Sequence, residues 1–238
     1  MSEYIFDLKN LYAWYSEGKN VLSHFSLQLN PHEVVGLIGL NGAGKTTLLK
    51  ILSGLHENFR CDGIYFHGKP IKFRDKNFKL CRYTVFAEDH SFQYFTFREY
   101  LSYVMTAYKQ KIPDTSALIQ GFHFENYIDV LLKDLSTGNQ KKVFLITAFA
   151  LKPELLLLDE PVNGLDFQST EFLYQMLSEY KKYGTVLFSS HILESITQTS
   201  DRVLVLENGQ IRRVFEGSQE SGPINAAEIR EALGYELL

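Results

Sequence analysis

The chain opens with two stretches in which apolar and polar residues alternate, Ile5 to Leu11 and Leu22 to Leu29, the spacing of half-buried strands. Asn30-Pro31 then turns it into an almost wholly apolar strand, Val34 to Ile38, and Thr46 to Leu52 has helical spacing that stops at Gly54. Short strands follow at Gly63 to His67 and Tyr83 to Ala87, with a turn at Gly68-Lys69-Pro70 between them. From Thr96 the period lengthens. Thr96 and Glu99 form a capping box, the run to Tyr108 is helical, and Pro113 interrupts it. A second helical piece is expected over Phe124 to Leu132, and Ser136 caps a longer helix through Ala150. Leu155 to Leu158 is a continuous apolar run, as in a strand covered on both faces. A helix from Phe167 to Tyr183, a strand from Thr185 to Ser189, a hairpin about Asn208-Gly209 and a short helix from Ala226 to Leu233 complete the pattern. The expected class is α/β, with an antiparallel β start and a helical insertion between β segments.

Composition narrows this only a little. The 238 residues are 45% hydrophobic, enough for a substantial core. A formal charge of -4 gives no broad basic field, so nucleic acid is not suggested as a partner. Cys61 and Cys81 are too far apart for a local metal motif and are expected to be reduced, buried and inert. The N-terminal residues show no basic stretch followed by an apolar one, and the apolar runs are too short to span a bilayer, so a cytoplasmic protein without a secretory signal is expected. There is no internal repeat.

Two motifs carry chemistry. Gly39 to Thr47 reads Gly-Leu-Asn-Gly-Ala-Gly-Lys-Thr-Thr, which fits G-x-x-x-x-G-K-S/T between an apolar strand and a helix. Its glycines let successive N–H groups face one point, and the following helix aims its positive end there, so a polyphosphate is the natural occupant. Lys45 is placed to reach the β/γ-phosphates and the Thr46 hydroxyl to ligate Mg²⁺. Downstream, Leu155 to Leu158 ends in Asp159-Glu160-Pro161. In a parallel sheet that end faces the ligand, where Asp159 can hold the Mg²⁺ and Glu160 can activate the attacking water.

Between them lies Leu135-Ser136-Thr137-Gly138-Asn139, immediately before a helix. A phosphate loop, then an Leu-Ser-x-Gly-x signature, then an apolar strand ending Asp-Glu-Pro resembles the ATP-binding cassette family over about residues 3–217. The resemblance implies one domain across 1–238, with a phosphate-loop NTPase core at about 1–88 and 150–217, a helical subdomain carrying the signature at about 89–149, and a C-terminal helical extension at 218–238. It implies that Gly39, Asn41, Gly42, Ala43, Gly44, Lys45, Thr46 and Thr47 cradle ATP. The signature residues Ser136, Gly138 and Asn139 of one copy would face the γ-phosphate held by another, in a head-to-tail dimer with a second copy or a paralogous cassette. Asn163-Gly164-Leu165-Asp166 resembles the loop that crosses that interface. His191, after Ser189-Ser190, resembles the switch histidine that touches the γ-phosphate and the attacking water. The aromatic platform for adenine falls best at Tyr15, with Trp14 and Tyr12 as competitors.

The chain departs from the family where a glutamine normally contacts Mg²⁺. Spacing puts Glu88 or Ala87 there; we favour Glu88, whose carboxylate could still be a metal ligand but adds negative charge beside polyphosphate. Glutamate at this place looks like a variant in transporters for antimicrobial peptides and their self-immunity relatives. The signature departs too, with Thr137 and Asn139 where glycine and glutamine are commonest. The function implied is an ATPase that powers a separate integral membrane permease from the cytoplasmic face, in export of a drug, peptide or lipid. The alternative is a cassette ATPase that moves no solute and acts in assembly or regulation. Aromatic residues Phe92 to Phe95 are expected to line the groove for the permease.

Overall fold

The computed structural model describes residues 4–16, 18–217 and 224–234. Strands β1 (Phe6–Ser16) and β2 (Lys19–Leu29) pair antiparallel, from Phe6 opposite Leu29 to Ser16 opposite Lys19. They join β4 (Phe59–Arg60), β5 (Gly63–Phe66) and β6 (Lys69–Pro70) in a five-stranded sheet of order β2-β1-β5-β6, with β4 also on β1. This is the antiparallel start expected. β1 runs past Leu11 to Ser16, and irregular register between Leu8 and Ser16 breaks the alternation by which its second half could be read.

The second sheet has six strands in the order β11-β10-β3-β9-β8-β7. Here β3 (Val34–Ile38), β7 (Arg82–Val85), β8 (Leu155–Asp159), β9 (Thr185–Ser190) and β10 (Arg202–Glu207) are parallel neighbours, and β11 (Gln210–Glu216) closes one edge antiparallel. Successive side chains of a strand point to opposite faces, and the core divides accordingly. Leu156, Leu158, Val186 and Phe188 enter one cluster, while Leu155, Leu157 and Leu187 enter the other. Both faces are thus covered, which is why these strands read as unbroken apolar runs.

Helix α1 (Lys45–Leu52) lies in the cluster shared by both sheets; its Leu48, Leu49, Ile51 and Leu52 are fully buried. On the other face sit α3 (Phe97–Ala107), α5 (Thr137–Leu151), α6 (Phe167–Tyr180) and α7 (Leu193–Thr199). The Thr96 capping box is present, and Ser136 caps α5 as expected. Three short helices were not foreseen: α2 (Lys76–Cys81), α4 (Ser116–Gly121) and α7. The expected helix at Phe124 to Leu132 is instead a pair of 3-10 turns, Glu125–Tyr127 and Leu132–Asp134. Helix α8 (Ala226–Ala232) carries the last described segment, and 218–223 and 235–238 of the expected extension lie outside the described residues. Cys61 and Cys81 are free but half-buried rather than buried, and burial with the Glu154 charge pushes the Cys81 thiol up to about 11. Among the described residues, no helix is long and apolar enough to cross a membrane.

Candidate nucleotide site

Strand β3 delivers the chain into the Gly39 to Gly44 loop, and α1 starts at Lys45. Two glycines there are dictated by space. A methyl on Gly39 would lie 2.3 Å from the Leu206 carbonyl oxygen, and Gly44 combines φ of 109° with a Leu22 methyl 2.7 Å from where its Cβ would be. No side chain caps α1 and its first turn holds no acid, so its free N–H groups and positive end are left to an anion. Lys45 is buried, with Nζ donating to the Gly39 carbonyl at 2.7 Å and weakly to Leu40 at 3.4 Å. Burial lowers its pKa, and the Glu160 and Asp159 charges oppose that shift.

The carboxyl end of β8 meets this loop. The Thr46 hydroxyl donates to Asp159 Oδ2 at 2.9 Å, and the Ser189 hydroxyl on β9 donates to Asp159 Oδ1 at 2.6 Å. Glu160 follows in the left-handed region, at φ of 46°. Its N–H donates to the Ser189 carbonyl and hydroxyl, both at 3.1 Å, and Lys141 Nζ donates to its carbonyl at 2.9 Å. Its carboxylate lies between two cationic or donor groups: Lys45 Nζ is 4.0 Å from Oε1, and His191 Nδ1 is 2.8 Å from Oε2, which also accepts the His191 N–H at 3.2 Å. The residues read from the two motifs therefore form one connected set.

A neutral hydroxyl beside a buried carboxylate is the hard-oxygen pair that Mg²⁺ takes alongside phosphate oxygens and water. Thr46 and Asp159 thus fit Mg²⁺. Among the described residues there is no group of three or more His, Cys, Asp and Glu that could hold a metal ion. Glu88 has no hydrogen bond or ion pair to either, among the described residues. It lines, with Ala87, a 280 Å³ cavity shared with Gln140, Lys141, Asn163 and Gly164.

The signature turn sits against the loop after β8. Ser136 accepts from the Asn139 N–H at 3.3 Å, and a methyl on Gly138 would lie 2.1 Å from the Gly164 carbonyl oxygen. Asp166 caps α6 by accepting from the Ser169 N–H at 2.9 Å and pairs with the buried Lys142 at 2.7 Å. Burial would raise the Asp166 pKa, but the Lys142 and Ser169 donors outweigh it and hold the carboxyl far below the usual range. Among the described residues, no hydrogen bond or ion pair joins residues 136–139 to the 39–47 loop. Tyr15 is 57% exposed, stands edge-on to His56 at 4.8 Å, and shares a 3.2 Å hydrogen bond with the Thr47 hydroxyl. Its competitor Tyr12 is instead engaged with His24 and Arg60.

Sequence reasoning passed over Ser189, Lys141 and Lys142. A serine within an apolar strand and two lysines in a helix buried all round were the available signals. Phe92 and Phe95 pack half-buried in an aromatic group with Tyr100 and Tyr103. The large groove nearby, about 870 Å³, is lined by other residues, among them Leu55, Lys76, Lys79, Arg82, Phe86 and Tyr108.

A phosphate-type loop leading from a central parallel strand into a helix, closed by an acid pair at the carboxyl end of the strand two places away in the sheet, defines a nucleoside-triphosphatase of the phosphate-loop class. A family model described as ABC transporter matches residues 22–163. The putative ABC transporter ATP-binding protein AlbC of Bacillus subtilis is 36% identical, covering 98% of this chain and 99% of that one. The phosphonates import ATP-binding protein PhnC of Treponema denticola is 28% identical and covers 91% of each. A solved structure described as the ATP binding subunit of an ABC transporter superposes with a TM-score of 0.81 at 26% identity, covering 98% of this chain and 95% of that one. This chain belongs to the ABC transporter family, as an ATP-binding subunit and an ATPase.

Proposed function

We propose that the chain binds ATP with Mg²⁺, pairs head to tail with a second cassette, and powers an integral membrane permease from the cytoplasmic face, exporting a drug, peptide or lipid. The observation that carries the reading is the hydrogen-bonded set of Thr46, Asp159, Glu160, Ser189 and His191, with Lys45 ion-paired to it through Glu160. Gly39, Asn41, Gly42, Ala43, Gly44 and Thr47 present the loop backbone to the phosphates, Lys45 neutralises them, and Tyr15 stacks on adenine. Thr46 and Asp159 would hold Mg²⁺, which would supply positive charge to offset that of the phosphates. Glu160 takes the proton of the attacking water, and His191, with its proton on Nδ1, orients that carboxylate. Ser136, Gly138 and Asn139 face the triphosphate of the other copy, with Asp166 behind them on the interface loop.

The permease seats in the 870 Å³ groove. Arg74, Lys76, Lys79, Arg82 and Lys109 line it with no carboxylate among the lining residues, so an acidic, partly apolar segment suits it. Export rests on the Glu88 departure, since PhnC shows by name that similarity alone does not set direction.

The test is purification of the Glu160→Gln chain with ATP from membranes of its own cells. A polytopic membrane protein should be retained, and Lys76→Glu with Lys79→Glu should release it. Recovery with cytosolic assembly proteins alone, in every nucleotide state, would overturn the transporter reading. Direction is read from deletion strains: raised sensitivity to a toxic peptide is expected, and reduced uptake of a nutrient would contradict export.

A further inference from the structure

Lys141 lies in the second turn of α5, in the helix that the signature turn opens, and only 5% of it is exposed. A buried ammonium needs partners, because desolvation costs several kcal/mol unless opposite charge and good acceptors offset it. Among the described residues its direct acceptor is the Glu160 carbonyl, at 2.9 Å. That contact has structural weight. Glu160 sits at φ of 46°, a conformation that non-glycine residues hold only when their surroundings impose it. Its N–H is tied to β9 through Ser189, and its carbonyl is tied to α5 through Lys141, so the backbone is gripped from both sides. The grip fixes where the carboxylate stands between Lys45 and His191.

A second observation is separate from this one. Lys141 lines the 280 Å³ cavity that Glu88 and Ala87 also line, and one of these two takes the place where the family resemblance expects a neutral amide. Burial lowers the lysine pKa, while the charges of Asp159, Glu160 and Glu88 work in the opposite direction. Lys141 is thus a buried cation on which the charges of Asp159, Glu160 and Glu88 all act.

Building on the nucleotide site proposed above, we infer that Lys141 is a positioning residue with two duties: it holds the Glu160 backbone in place, and it compensates the charge that Glu88 adds beside the bound triphosphate. The duties are separable. The first acts on turnover and does not depend on Glu88. The second acts on nucleotide affinity and vanishes when Glu88 is neutral.

The test uses the full chain as wild type, Lys141→Met, Glu88→Gln, the double variant and Lys141→Arg, with kcat from steady-state hydrolysis and Kd for Mg²⁺ with a non-hydrolysable ATP analogue from calorimetry. Lys141→Met should lower kcat about 10- to 100-fold, the scale of a small misplacement at a reacting group. It should also weaken analogue binding about tenfold, the scale of one lost charge interaction. Adding Glu88→Gln should restore the affinity but not kcat, and Lys141→Arg should restore kcat through its own donors. Wild-type kcat in Lys141→Met overturns the first duty, and affinity that Glu88→Gln does not restore overturns the second. Thermal melting without nucleotide confirms folding. If Lys141→Met does not fold, Lys141→Gln, which loses the charge but retains a donor, must show the same affinity loss and the same rescue, or the charge duty fails. A wild-type chain that neither binds the analogue nor hydrolyses ATP would count against the nucleotide site itself.

Discussion

Gly138→Ala isolates the contact between the signature turn and the loop after β8. The added methyl would lie 2.1 Å from the Gly164 carbonyl oxygen, where ordinary contact begins at 3.4 Å. The two backbones must therefore part by about 1.3 Å, from 3.4 minus 2.1. No side chain can swing away, since both partners are main chain. Overpacking of this kind costs about 1–3 kcal/mol. At about 2–4 °C per kcal/mol for a domain of this size, melting should fall by about 2–12 °C. Turnover should suffer more than folding. Both displaced segments face the second copy in the proposed dimer, and a shift of about 1 Å there can cost roughly 100-fold. Lys45 and the loop before α1 belong to other elements, so ATP affinity of the single chain should stay within about twofold of wild type. Scanning calorimetry, steady-state hydrolysis and calorimetric ATP titration measure the three quantities. Unchanged melting with unchanged turnover would refute the tight approach, and an affinity loss matching the turnover loss would refute its separation from the loop.

Two further outcomes follow from the same geometry. Ser189→Ala removes the 2.6 Å donation to Asp159 and an acceptor of the Glu160 N–H, so urea unfolding should show a loss of about 1.5–3 kcal/mol, and full stability would contradict the buried bond. Asp166 has a folded pKa below its ordinary 3.8, so its pairing stabilises the fold above that pH and is lost as pH falls from there toward the folded value. Lys142→Met should flatten this acid limb of a melting-versus-pH curve, and an unchanged limb would contradict the pairing.

What could be read from the chain was what local backbone chemistry demands. The Gly39 to Thr47 loop needs its glycines for reasons visible in a few residues, and Leu155 to Leu158 is apolar at every position because both faces of β8 are covered. Caps at Thr96 and Ser136 marked two helix starts. Helix α4 escaped because none of its residues is buried and no apolar stripe exists to detect. Helix α7 escaped because Ser195 and Thr199 occupy its buried face, with hydroxyls satisfied by local carbonyls. Glu160 was legible as an acid at a strand end, but not the strain in its backbone or the lysine that holds it. Those depend on α5 and β9, distant in sequence, converging on one peptide unit.

Whether ATP joins two cassettes through this site is read by light scattering on the Glu160→Gln chain. With ATP and Mg²⁺ at saturation its mass should double from that of the 27.4 kDa monomer, alone or with a paralogous cassette, and should return to monomer when nucleotide is removed. A mass that stays monomeric with bound ATP, whichever cassette is offered, would contradict the account.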